Sequence, residues 1–195
     1  MIRAFASALE DDNILVRRAT LDLLEQSLPV GSGALKRYVS LNYCLSCCLT
    51  NHPSASKEAQ HILMRAASGV VLRRDLSLNR RLFSWLLGPG PEDTQESYFR
   101  THALELLKET LHQDMLATPR PDSRPFKIFI SLLDKWEIGG PLVESLLYDA
   151  MKGIKRGVLL EEDSGEVSLV ANDLLFVGFL CRVASYNCQR VIRRR

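Results

Sequence analysis

Cys44, Cys47, Cys48 and His52 fall within CLSCCLTNH (44–52) and form the most metal-like grouping in the chain. Thiolates spaced C-x-x-C with a following histidine are ligand types that zinc selects, but a structural zinc site needs a second ligand pair in a fixed arrangement. On one helix the three cysteines share a face with apolar neighbours, and buried cysteine behaves as a small hydrophobe. Core packing is therefore the leading reading, with zinc and reversible acylation as lesser alternatives.

Other chemistry is weaker still. His52, His61, His102 and His112 form no HExxH pair and suit surface or partly packed positions. No G-x-S-x-G turn is present to strain a nucleophilic serine. The GSG (31–33) and GPGP (88–91) runs lack the Lys and Ser/Thr of a phosphate loop and read as breakers. Glu161, Glu162 and Asp163 are consecutive, so they cannot oppose each other across a substrate, and a solvated loop is expected there. No catalytic residue, cofactor or metal ligand is assigned.

Arginine is the remaining candidate. RRDLSLNRRLFSWLLGPGP (73–91) holds Arg73, Arg74, Arg80 and Arg81 around an apolar stripe, and DNILVRRATLDLL (12–24) resembles its centre. Setting Asp12 on Asp75 aligns Arg17-Arg18 with Arg80-Arg81 in the pattern D-x-x-L-x-R-R-x-x-x-x-L-L, 63 positions apart (12 to 75). An Asp at a helix start accepts N–H groups left open in the first turn. An arginine in the second turn reaches sideways to a carboxylate on a neighbouring helix. Arg80 is expected to bridge helices in this way, so that Arg80→Ala costs more than Arg37→Ala. Phosphate binding is the alternative use, but aromatics fit to stack on bases are lacking, because Phe83 and Trp85 flank the leucine stripe and read as core.

The elements that would position these residues are helical throughout. Ile14, Leu21, Leu24 and Leu28 form one stripe behind Asp11, Asp12 or Asn13 as start cap. Further helices are expected over 34–51, 54–74, 75–88 (capped by Asp75, closed by Gly88 and Pro89), and as one long helix within 91–116. Pro125 opens another as a first-turn residue, a break is expected at Gly139-Gly140, and helices follow over 141–156 and 167–195. The 195 residues are 46% hydrophobic and 25% charged with net charge +2, the balance of a folded chain with no global field for nucleic acid. Five cysteines, an odd number, suit a reducing compartment. No leader is evident, and the longest apolar run holds Asn172 and Asp173 and is shorter than the roughly 20 residues of a membrane span.

Three stretches carry a family likeness. DDNILVRRATLDLLEQSLPV, VLRRDLSLNRRLFSWLLG and RPFKIFISLLDKWEIGGPLVE occur in order, and together they resemble the N-terminal region of the Dopey family over roughly residues 11–155. The Asp–Arg arrangement resembles the second helix of HEAT repeats, which makes the expected fold an all-α, HEAT/armadillo-like helical-hairpin solenoid, with a helical bundle as the alternative. With it, the family resemblance implies a helical-repeat segment over 1–157, with 158–195 as an acidic loop and terminal helix of uncertain relation to the family. It also implies a non-enzymatic scaffold or adaptor in Golgi and endosome trafficking, peripheral on the cytosolic membrane face. The partners implied are a large Arf-exchange-factor-like protein, kinesin light chain and an aminophospholipid flippase. A HEAT-like array that binds nucleic acid or serves nuclear transport is the alternative.

Overall fold

The computed structural model describes residues 2–31, 54–116 and 123–164, with isolated positions between 178 and 185. Every element among them is helical: α1 (Ile2–Glu10), α2 (Ile14–Ser27), α3 (Ser54–Gly69) continuing as a 3-10 turn (Val70–Arg73), α4 (Leu76–Leu87), α5 (Glu92–His102), α6 (Leu104–Leu116), α7 (Arg124–Leu132) and α8 (Trp136–Ser164). The chain divides into two compact units, Met1–Thr110 and Leu111–Arg195.

In the first unit, α1 buries Ile2, Ala6 and Leu9 along one stripe, a short helix that the sequence reading had not separated out. Asp11, Asp12 and Asn13 reverse the chain into α2, and Asn13 Oδ1 accepts the Leu15 N–H at 2.9 Å as the cap. Helices α1 and α2 make one hairpin, and α3 leads into α4 through the 3-10 turn, which packs on both. Across them α1 packs on α3 and α2 packs on α4, first helix on first and second on second. That stacking is the repeating relation of a helical-hairpin solenoid. Leu21, Leu24, Leu63, Met64, Leu78, Leu82 and Leu86 are completely buried between these layers. Trp85 joins them, and its indole N–H donates to the Leu28 carbonyl at 2.9 Å, so the one polar atom of a buried ring is satisfied.

The stretch 91–116 is two helices rather than one. Ala103 interrupts the run as a turn, its φ stretched to −109° within the right-handed region, while hydrogen bonds continue on either side, from its own N–H to the Phe99 carbonyl and from the Leu107 N–H to its carbonyl, each 3.0 Å. Phe99, Ala103 and Leu107 remain one buried stripe across the turn.

In the second unit, Pro125 sits in the first turn of α7, and Phe126, Ile128, Phe129 and Leu132 are buried along it. Residues 127–131, KIFIS, lie within α7 and are helical. The break expected at Gly139-Gly140 is absent: α8 runs from Trp136 through Gly139, Gly140 and Pro141 to Ser164. Ile138, Leu142, Leu146 and Ala150, all fully buried, repeat every fourth residue across the site. Burying that continuous stripe outweighs the roughly 1 kcal/mol per glycine that helix propensity sets against it. Pro141 lies within the first two turns, where it removes one backbone bond. The same helix carries Glu161, Glu162 and Asp163, so the acidic loop expected there is helical, and residue 157 coincides with no break. Gly153 lets α8 approach α7 closely, since a Cβ there would stand 3.2 Å from Phe126 Cζ.

Candidate interaction surface

Helices α2 and α4 run parallel, and their polar edges meet rung by rung. Asp75 caps α4 by accepting the Leu78 N–H at 2.9 Å, and its other oxygen stands 3.5 Å from Arg18 Nη2 on α2. One turn further on, Arg81 Nε donates to Asp22 Oδ1 at 2.7 Å while Arg81 Nη1 reaches the Ser77 carbonyl at 3.2 Å. Ser84 Oγ then donates to Glu25 at 2.5 Å, and the Trp85–Leu28 bond closes the series. The Asp75 carboxyl is held below its ordinary value, first by the Ser77 hydroxyl bond, then by the Leu78 N–H and by the Arg18 charge. Half-exposed pairs of this kind contribute about 0.2–1 kcal/mol each. They fix which turn of α2 meets which turn of α4, while the leucine layer supplies the bulk of the stability.

The two copies of the arginine pattern do touch, but they are not equivalent as aligned. Asn13, not Asp12, caps α2, and Asp12 is fully exposed, 3.8 Å from both Arg17 and Arg73. Counting from the caps, Arg18 matches Arg80, each the fifth residue on (13 to 18, 75 to 80). One residue of shift turns a side chain about 100° around the helix. Hence Arg17 is buried, reaching back to the Glu10 carbonyl at the end of α1 at 3.5 Å, whereas Arg80, its partner by letter, is exposed. Leu15 is 65% exposed although Leu78, its partner by letter, is completely buried. The bridge expected of Arg80 is made by its neighbour Arg81 instead.

The remaining candidates are dispersed. Cys44, Cys47, Cys48 and His52 lie outside the described residues, as do the helix expected over 34–51 and Arg37. Among the described residues no group of three or more potential metal ligands comes together. His61 is buried, its Nδ1 2.8 Å from Thr110 Oγ1 and its Nε2 3.5 Å from Glu109. Thr110 also donates to the Leu106 carbonyl at 2.7 Å, so its oxygen is the acceptor toward a protonated Nδ1. His102 lies exposed beside the Tyr98 ring, and His112 pairs with Asp149 at 3.2 Å. Phe83 is half-buried rather than core.

One feature gave no motif. The Tyr98 hydroxyl accepts the Gly31 N–H at 2.8 Å while its ring lies over Gly88, tying the ends of α2 and α4 to α5. A Cβ at either glycine would stand 2.7 Å from Tyr98 Cζ, and Gly88 has φ 69°. The breakers GSG and GPGP thus each supply a residue with no side chain where the tyrosine inserts. Their glycines were visible in sequence, but the ring 67 positions from Gly31 was not.

Comparison with known proteins accords with this architecture. Residues 1–91 match the family model described as Dopey, N-terminal, and residues 98–176 match the DOP1 middle TPR domain. Protein dop1 of Emericella nidulans is 33% identical over 183 residues, covering 80% of this chain and 9% of that relative. Protein DOP1B of Xenopus laevis is 33% identical over 178 residues, covering 77% of this chain and 7% of its own length. The DOP1 homolog of Drosophila melanogaster is 31% identical over 202 residues, covering 92% and 7% respectively. The chain thus spans less than a tenth of the length of these curated relatives. No solved structure matches. In the described residues no helix is long and apolar enough to cross a membrane. The motifs, the stacked hairpins and these matches agree: the chain belongs to the Dopey family.

Proposed function

We propose that this chain is a non-enzymatic scaffold or adaptor segment in Golgi–endosome membrane trafficking and organelle transport, working peripherally on the cytosolic face of those membranes. The observation that carries the reading is the rung-by-rung joining of α2 and α4, through Arg18–Asp75, Arg81–Asp22, Ser84–Glu25 and Trp85–Leu28. Polar groups at these positions hold helices in register, and a stack so held offers a rigid surface to other proteins. Family membership supplies the trafficking context. The partners proposed are a large Arf-exchange-factor-like protein, kinesin light chain and an aminophospholipid flippase, each engaged within the longer family proteins.

The nucleic-acid alternative is weakened, because Arg17 is buried and Arg18 and Arg81 pair with carboxylates, which leaves only the short run of Arg73, Arg74 and Arg80 exposed in the two arginine stretches. Co-purification from cells separates the readings, comparing this segment with a full-length family protein. Enrichment of the named partners over an unrelated helical-repeat control is expected. Recovery of RNA or DNA at physiological salt in their place would reverse the assignment.

A further inference from the structure

Helix α2 is covered on the flank that faces α4, and the same flank of α4 is open. Positions one, five and eight after a helix cap share one flank at 100° per residue. In α2 these are Ile14, Arg18 and Leu21; Ile14 is half-buried, Leu21 is completely buried, and Arg18 reaches the cap carboxylate of α4. In α4 they are Leu76, Arg80 and Phe83. Leu76 is 83% exposed, Arg80 is exposed and pairs with no carboxylate among the described residues, and Phe83 is half-buried. Arg74, at the left-handed end of the 3-10 turn, adds a second exposed cation at the same end of the helix.

We propose that this flank of α4 is a docking site for a partner helix that begins with an aspartate or glutamate cap, laid parallel to α4, with Arg80 taking the cap carboxylate as Arg18 takes that of Asp75. Charge complementarity identifies the occupant. Two exposed arginines and one exposed leucine, with Asp75, Asp22 and Glu25 already engaged on the opposite side, call for an anionic helix start followed by an apolar turn. A carboxylate cap is also favoured by the partner helix's own N-terminal dipole, so one group serves both helices. Leu76 and Phe83 would then bury against the partner's first two turns. The inference rests on the scaffold reading and adds where, and to what chemistry, the stack attaches.

The probe is an N-acetylated peptide of residues 75–90, which presents the Asp75 cap that Arg18 already recognises without the two arginines that precede it. Leu76→Glu and Arg80→Lys joined as a lactam hold it helical on the flank away from Asp75, Arg81 and Ser84, and circular dichroism verifies the helix before use. Fluorescence anisotropy follows its binding to the full 195-residue chain. Saturable binding is expected, weakened about fivefold by Arg80→Glu in the chain and similarly by Asp75→Asn in the peptide, which keeps the cap but removes the charge. Leu76→Ser in the chain should weaken it as well, and unchanged thermal melting of both exposed-site variants shows that folding is intact. Failure of the helical peptide to bind, binding indifferent to both charge changes, or equal competition by inositol hexakisphosphate or an oligonucleotide would each overturn the proposal. Pull-down of the trafficking partners reads the scaffold assignment separately, so either can fail without the other.

Discussion

Helices α2 and α4 pack side by side and carry nearly the same letters, yet they handle their arginines in opposite ways. In α2, Arg17 is drawn inward to the end of α1 and Arg18 reaches forward to the next helix. In α4, Arg80 stands open and Arg81 reaches back to Asp22. A one-residue difference in where the cap falls accounts for this, because it turns the pair by more than a quarter of the circumference. Letter repeats in a helical array are therefore a weak guide to equivalence unless the caps are aligned first.

The comparison can be broken most decisively through its shared core. Trp85→Ala should cost roughly 3–5 kcal/mol, since it empties a fully buried indole site and orphans the Leu28 carbonyl bond, whereas Leu23→Ala, at the same distance from its cap but half exposed, should cost under about 1 kcal/mol. Equal denaturation midpoints for the two would mean that the hairpins are not stacked as described. Next in size is Gly88→Ala, which forces a side chain both into a left-handed backbone and onto the Tyr98 ring. A loss of about 1–3 kcal/mol is expected, and adding Tyr98→Ala should recover part of it by removing the clash.

The rungs come next. Arg81→Ala should destabilise by up to about 1 kcal/mol and Arg80→Ala by less than about 0.5 kcal/mol, reversing what the sequence suggested. A larger effect at Arg80 in thermal unfolding would show that its flank is covered within the chain. The smallest effect is a pH dependence. A carboxyl held below its ordinary 3.8 contributes stability that is fully present above that value and fades as pH falls through the lower folded value. Asp75→Asn should therefore flatten the acid limb of the stability profile, while Asn13→Asp should introduce such a limb at the α2 cap. An acid limb unaltered by Asp75→Asn would place the titrating group elsewhere.

Sequence patterning reached far in some places. The Asp75 start and Gly88 stop of α4, the Leu21–Leu24–Leu28 stripe and the burial of Trp85 were all legible, because caps, positive φ and 3.6-residue periodicity act within a few positions of their cause. It failed at Gly139-Gly140, where local breakers pointed one way and a fourth-residue apolar stripe the other. The start cap was among the three residues offered, but setting Asp12 on Asp75 placed the two copies one residue out, because Asn13 is the one that caps.

What the letters alone determined is therefore the class and the family: helices of a certain length, hairpin after hairpin, with charged edges and greasy faces. What only the tertiary structure decided is which arginine meets which carboxylate, where Tyr98 seats between Gly31 and Gly88, and which flank of α4 is left open. The physical reason is range. Backbone capping and periodicity are set by neighbours a turn away, but a pairing between residues 57 to 67 positions apart depends on the rotation of two packed helices, and that rotation is fixed only when both bury their stripes together.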